Sequence, residues 1–144
     1  MYKVNIVVPS LTTDSHLVRC LNGVQNLNYK NFFVTLVLDD NKNLSILKKF
    51  KFKIKILFLK KINMSKKRNV AAKKFNSDFL AFIDSDACPS KNWLTNAIKE
   101  IKSKKIEIIG GPNIPFENQY FLQKISYWKS QSYGQGVDFV LSKT

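Results

Sequence analysis

Phe79-Leu80-Ala81-Phe82-Ile83-Asp84-Ser85-Asp86 is a short apolar run that stops at two carboxylates separated by one residue. An uninterrupted apolar run of this length reads as a strand buried on both faces, and alternate residues of an extended chain project to the same side. Asp84 and Asp86 are therefore expected to aim together at one ligand. Polar groups at the carboxyl end of a buried strand mark the place where open α/β sheets bind ligands. Two hard oxygen donors there suit Mg²⁺ or Mn²⁺ carrying phosphate. Taken alone, Asp-Ser-Asp fits a strand end followed by a polar turn at least as well, so the choice rests on what the rest of the chain places beside it.

Strand and helix periodicity alternate throughout. Lys3 to Val8 reads as a first strand, after which Asp14 or Ser15 can cap a helix carrying Leu17, Val18, Leu21, Val24 and Leu27 at helical spacing. Phe33 to Leu38 is a second buried strand, and it too ends on carboxylates, Asp39-Asp40. The polar turn Asn41-Lys42-Asn43 leads to a short helix from Leu44 to Phe50 and a strand from Ile54 to Leu59. Ser65 is placed to cap a helix through Phe75. Ser90 is placed to cap another, carrying Leu94, Ile98 and Ile101, and a strand from Ile106 to Ile109 stops at Gly110-Gly111-Pro112. Further on, Phe121, Ile125 and Trp128 mark a helix between Glu117 and Tyr133. Gly134-Gln135-Gly136 is a turn, and Val137 to Leu141 can begin another strand.

This order specifies βαβ units, hence an α/β fold with a mostly parallel central sheet and helices on both faces. Polar strand ends then share one edge. Ser10, Asp39-Asp40, Asp84-Asp86 and Gly110-Gly111 are expected to converge there on one crevice, which favours the ligand site over the polar turn.

A chain of 144 residues with 44% apolar side chains suits a single domain able to bury a core, and no repeat or linker divides it. The N-terminus lacks the pattern of a secretory signal, and no apolar run is long enough for a bilayer, so a cytoplasmic protein is expected. Cys20 and Cys88 lack CxxC spacing and a neighbouring His, which supports neither a disulfide framework nor a zinc site. Both read as small apolar fillers, and the single histidine, His16, as a surface or capping residue. The net charge of +14 is nearly all lysine. Basic surfaces meet nucleic acid, anionic lipid or phosphorylated substrates. Part of the charge has a structural reading: Lys51, Lys53 and Lys55 alternate with Phe52, Ile54 and Ile56, as in a half-buried strand with a solvated face. A basic nucleic-acid-binding module is the competing class, but no RRM, KH, zinc-finger or helix-turn-helix signature is present.

Taken in order, Val7-Val8-Pro9-Ser10, Val37-Leu38-Asp39-Asp40-Asn41, Lys67-Arg68-Asn69-Val70-Ala71-Ala72, Ala81-Phe82-Ile83-Asp84-Ser85-Asp86 and Asn92-Trp93-Leu94 resemble the family 2 glycosyltransferases with the Rossmann-like GT-A fold. The resemblance extends from Lys3 to about Gly136. It implies transfer of a sugar from a nucleotide-sugar donor to an acceptor hydroxyl, with inversion, in cell-surface polysaccharide or glycolipid synthesis. Mn²⁺ or Mg²⁺ is the implied cofactor, with Asp84 and Asp86 as its ligands and Asp86 the main one. Asp40 would bind the base of the nucleotide, Pro9 and Ser10 would line the same pocket, and Asp84 would face the ribose or the metal. Ser85 falls within this site, and Arg68 is placed to approach the diphosphate as a further cation.

The chain also departs from the family pattern. Leu11-Thr12 stands where many members carry Tyr-Asn, which removes a ring that could stack on the base. Asn76-Ser77-Asp78 replaces the usual Gly-Glu or Gly-Asp, although Asn can adopt the same left-handed turn. An inverting transfer needs a general base. Glu117 and Asp138 are the only carboxylates after Gly110-Gly111, and neither matches a motif, so the base is expected beyond Thr144. Residues 1–144 thus read as the nucleotide-sugar-binding part of a longer, C-terminally truncated domain, with a catalytically silent remnant as the alternative. Phe121 and Trp128 read as core packing, while Tyr127 and Tyr133 are candidates for an acceptor or lipid-carrier site. The expected partners are a nucleotide-sugar donor and a saccharide or lipid-linked acceptor, with no nucleic acid. The lysines are compatible with peripheral contact at the inner face of an anionic membrane.

Overall fold

The computed structural model describes residues 1–111 and 139–142. Among these residues six strands form one sheet: β1 (Val4–Pro9), β2 (Phe32–Leu38), β3 (Ile54–Phe58), β4 (Phe79–Phe82), β5 (Ile108–Gly110) and β6 (Phe139–Ser142). Their order across the sheet is β3-β2-β1-β4-β6-β5. The first four are mutually parallel, and β6 runs antiparallel between β4 and β5. The expected α/β architecture is thus present, with one antiparallel strand set into a mostly parallel sheet.

Among the described residues three helices connect the strands, α1 (Ser15–Gln25), α2 (Met64–Lys74) and α3 (Trp93–Lys104), with a 3-10 segment at Leu44–Lys49. Strand alternation sends Val4, Ile6 and Val8 of β1, with Val34, Leu36, Leu38, Phe79, Ala81 and Ile83, to the face covered by α1 and α3. Leu17, Leu21 and Val24 of α1 and Leu94, Ile98 and Ile101 of α3 close that core. Val7, Val37, Leu80 and Phe82 point the other way and pack on Ala71 of α2. Both faces of β1 and β2 are therefore buried, which is why their sequences are almost continuously apolar. At the edge, β3 is only half-buried, and Lys55 lays its ammonium 3.7 Å from the centroid of the Phe75 ring. A cation resting on an aromatic face keeps its hydration on one side while its stem covers apolar surface.

Local details correct several expectations. Asp14 rather than Ser15 caps α1, its Oδ1 accepting from the Leu17 N–H at 2.9 Å. The cap of α2 lies two residues earlier than expected: Asn63 takes that role, accepting from the Lys66 N–H at 2.8 Å, and Ser65 lies inside the first turn. Ser90 does not cap α3. The position before Trp93 is Asn92, which makes no capping bond, and Ser90 contributes only its carbonyl, to the Trp93 N–H at 3.0 Å. Left-handed backbone occurs at Asn43, Lys61 and Lys105 but not at Asn76, because α2 leaves directly into extended backbone at Phe75. Cys20 is buried as expected, whereas Cys88 is exposed on a loop and fills no core. The expected helix between Glu117 and Tyr133, the turn at Gly134 to Gly136 and the carboxylates Glu117 and Asp138 lie outside the described residues. Among the described residues no helix is long and apolar enough to cross a membrane.

Candidate functional site

The sheet changes direction of growth between β1 and β4. From β1 the chain moves outward through β2 to β3, then α2 carries it back across the opposite face to β4 on the other side of β1. This reversal is the topological switch point, where loops leave adjacent strands in opposite directions and open a crevice at the carboxyl ends. The carboxyl ends of β2, β1 and β4 meet there side by side, at strand spacings of about 4.8 Å. They carry Asp39-Asp40, Ser10 and Asp84-Asp86 respectively. Gly110-Gly111 ends β5 at the same edge, but β6 intervenes, so these glycines stand two strands from β4 instead of beside it.

A set of short bonds fixes the β1 and β2 ends to each other. The Ser10 N–H donates to the Val37 carbonyl at 2.9 Å, and the Asp39 N–H to the Leu11 carbonyl at 3.0 Å. Ser10 Oγ donates to the Thr12 carbonyl at 2.9 Å, and Thr12 Oγ1 donates to Asp40 Oδ1 at 3.3 Å. The Lys42 N–H reaches the same Asp40 oxygen at 3.1 Å. One edge of the Asp40 carboxylate is thereby occupied, which holds the group in a fixed orientation. Thr12 supplies a hydroxyl to Asp40, and Leu11 beside it is exposed.

α2 brings two cations to the crevice. Lys67 is fully buried: its Nζ donates to the Ser10 carbonyl at 2.8 Å and lies 2.6 Å from Asp39 Oδ1. It ties together three elements, the ends of β1 and β2 and the first turn of α2. Arg68, one residue on, pairs with Asp84 Oδ1. Both members of that pair are partly exposed, with 25% and 31% of their side-chain surface open. Arg68 is thus placed at the acidic turn.

The turn itself departs from the extended geometry expected of it. β4 ends at Phe82, Ile83 makes a last ladder bond to the Val7 carbonyl at 3.2 Å, and the Ala87 N–H then closes a turn on the Asp84 carbonyl at 3.0 Å. Ser85 and Asp86 are the central residues of that turn, so Asp84 and Asp86 do not share a side through strand alternation. Asp84 is half-buried against Arg68, while Asp86 is exposed. Among the described residues no three His, Cys, Asp or Glu side chains gather into a ready-made cation site.

Of the residues expected at the site, Pro9, Ser10, Asp40, Arg68, Asp84, Ser85 and Asp86 all lie at the carboxyl edge of β1, β2 and β4 or on the first turns of α2 facing it. Sequence reading passed over Thr12, Lys67 and Arg19, whose guanidinium donates to the Asp86 carbonyl at 3.0 Å. For Lys67 a signal existed: it precedes the buried Ala71 by four residues, which places it on the inward stripe of α2. No sequence signal marks Arg19 or Thr12, since their partners are set only by tertiary contact.

An open, mostly parallel sheet whose switch point is lined by carboxylates and an arginine defines a Rossmann-like α/β domain of the GT-A class. Within that class the chain belongs to glycosyl transferase family 2, whose model matches residues 5–141. It is 25% identical over 114 residues to glycosyltransferase GlyA of Streptococcus pneumoniae, covering 76% of this chain and 16% of that protein. The structure of TarS from Staphylococcus aureus in complex with UDP-GlcNAc superposes with a TM-score of 0.64 at 25% identity, over 79% of this chain and 37% of that one. The mannosyltransferase PcManGT from Pyrobaculum calidifontis, solved with GDP-Man and Mn²⁺, shares the fold over 99% of this chain and 45% of its own, with a TM-score of 0.71 at 13% identity. The chain therefore spans less than half the length of each of these relatives.

Proposed function

We propose that the chain binds a nucleotide-sugar donor for transfer of the sugar, with inversion, to the hydroxyl of a saccharide or lipid-linked acceptor. The observation that carries this reading is the adjacency of the β2, β1 and β4 ends at the switch point, with Asp40, Ser10 and the Asp84–Asp86 turn side by side. Family membership and the likeness to TarS, solved with UDP-GlcNAc, support it.

Each residue has a role that follows from its chemistry. Asp40, oriented by Thr12 and the Lys42 N–H, offers its remaining carboxylate oxygen to an N–H of the base. Pro9 and Ser10 form the backbone wall of that pocket. Asp86 and Asp84 fit a divalent cation of the Mg²⁺ or Mn²⁺ type, which takes one or two protein carboxylates and completes its shell with water and phosphate oxygens. Two carboxylates without a third suit a cation that arrives with a diphosphate. When bound, such a cation neutralises the charge that builds up on the departing nucleoside diphosphate. Asp86, exposed and at the tip of the turn, is the main ligand. Arg68 neutralises Asp84 until a diphosphate offers it a bidentate partner. Ser85, between the two carboxylates, adds a hydroxyl within reach of the donor.

Thermal denaturation with UDP, GDP and TDP, each with and without Mn²⁺, tests this reading. A ligand that binds only the folded state raises Tm, by about 2.7 kcal/mol of stability at 100 times its Kd. At least one diphosphate is expected to raise Tm more with Mn²⁺ than without, and Asp86→Ala to remove the difference. No response to any of the three would overturn the proposal.

A further inference from the structure

α1 touches the segment after β4 at three successive heights. Arg19 Nη2 donates to the Asp86 carbonyl at 3.0 Å. One helical turn further, Gly23 lies so close to the same segment that a methyl group on it would sit 2.5 Å from Cys88 Sγ and 2.8 Å from Pro89 Cδ. Just past the helix, the Asn28 N–H donates to the Lys91 carbonyl at 2.9 Å, and Asn28 Nδ2 donates to Asn92 Oδ1 at 2.7 Å. Residues 19 and 23 share one stripe of the helix. This stripe is the surface on which the acidic turn rests.

On the reading of Asp86 as a cation ligand, we propose that Arg19 is a positioning residue for Asp86. The turn bond from the Ala87 N–H engages the Asp84 carbonyl and not that of Asp86. The peptide unit between Asp86 and Ala87 is held at its N–H by that single turn bond, and the Asp86 side chain is too exposed to be held by packing. Arg19 takes the carbonyl at the other end of the same unit, so its plane is anchored twice, and with it the direction in which the carboxylate leaves the same Cα. Gly23 sets the height of the segment by permitting close approach. A carboxylate already oriented loses less freedom when the cation and diphosphate arrive. Arg19 touches neither the cation nor the nucleotide.

The test compares nucleotide affinity with and without Mn²⁺, by calorimetry, in the wild type, Arg19→Met, Arg19→Lys and Gly23→Ala. The probe is whichever of UDP, GDP and TDP binds the wild type most tightly, with Mn²⁺ occupancy followed in parallel by electron paramagnetic resonance. Arg19→Met is expected to reduce the Mn²⁺-dependent gain in affinity about 5- to 10-fold, at or just below the roughly 10- to 100-fold typical of supporting contacts because Arg19 is solvent-exposed. Metal-free affinity should stay within about twofold, since the base and ribose contacts are untouched. Arg19→Lys, which keeps a donor, should restore part of the gain, and Gly23→Ala should lower it as Arg19→Met does. An unchanged gain in Arg19→Met, or an equal loss with and without Mn²⁺, would overturn the positioning role. If the wild type shows no gain with Mn²⁺, the reading of Asp86 fails and this proposal with it. A full wild-type gain that survives Arg19→Met removes this proposal alone.

Discussion

Lys67 is the residue on which the crevice depends most. A fully buried ammonium is tolerated only when its charge and its donors are met, and Asp39 and the Ser10 carbonyl meet them. Lys67→Met keeps the stem but removes the ammonium, leaving Asp39 without its counter-charge. Because 26% of the Asp39 side chain reaches water, part of that charge can rehydrate, and a loss of about 2–3 kcal/mol in chemical denaturation is expected. A loss below about 0.5 kcal/mol would show that the pair is not a structural tie. At this scale the sequence was only partly legible. Asp40, Asp84 and Asp86 stand out because each follows an apolar run, and their placement at strand ends needs nothing more than the strand pattern. Lys67 looks like one more lysine among many, and only its spacing from Ala71 separates it from a solvated residue.

Among elements, α2 and α1 have different tasks and different tests. Asn63 carries the cap of α2, and Asn63→Ala should cost about 1 kcal/mol, within the range for lost caps. Ser65→Ala should change stability by no more than about 0.5 kcal/mol, as for an exposed site making no special contact. Equal losses at both positions would contradict the assignment of the cap. The start of α2 was misread because Asn63 and Ser65 are both good capping types two residues apart, and nothing in the local pattern ranks them. α1 meets the loop after β4 through Gly23. Ala at that position gains about 1 kcal/mol in helix propensity but must push aside Cys88 and Pro89, at a cost of about 1–3 kcal/mol. Gly23→Ala is therefore expected to be destabilising on balance, and less so in combination with Cys88→Ala, which removes the nearer of the two obstructing atoms. Additive effects in that double-mutant cycle would show that the two residues do not press on each other.

For the whole molecule, sheet order decides what the acidic strand ends can do. Alternating strands and helices predict a parallel sheet, and the first four strands have it, but alternation does not give the order in which strands lie. The antiparallel β6 between β4 and β5 was beyond such reasoning, because the run from Val137 looks like any other strand. Its insertion moves Gly110-Gly111 away from the carboxylates, whereas the return of the chain through α2 puts β4 beside β1 and brings residues 10, 40 and 84 to 86 together. The extended geometry first assigned to Asp84 and Asp86 also gave way. β4 is only four residues long, and the turn after it is shaped by contact with α1, which no local pattern reveals.

If these strand ends form one site for a cation and a nucleoside diphosphate together, each ligand binds more tightly in the presence of the other. Isothermal titration of UDP, GDP and TDP into the protein, with and without Mn²⁺, measures that directly. The tightest binder is expected to gain at least about 10-fold in affinity from Mn²⁺, or about 1.4 kcal/mol, and Asp86→Ala to abolish the gain. Equal affinity with and without the cation, or a gain that persists in Asp86→Ala, would contradict the shared site.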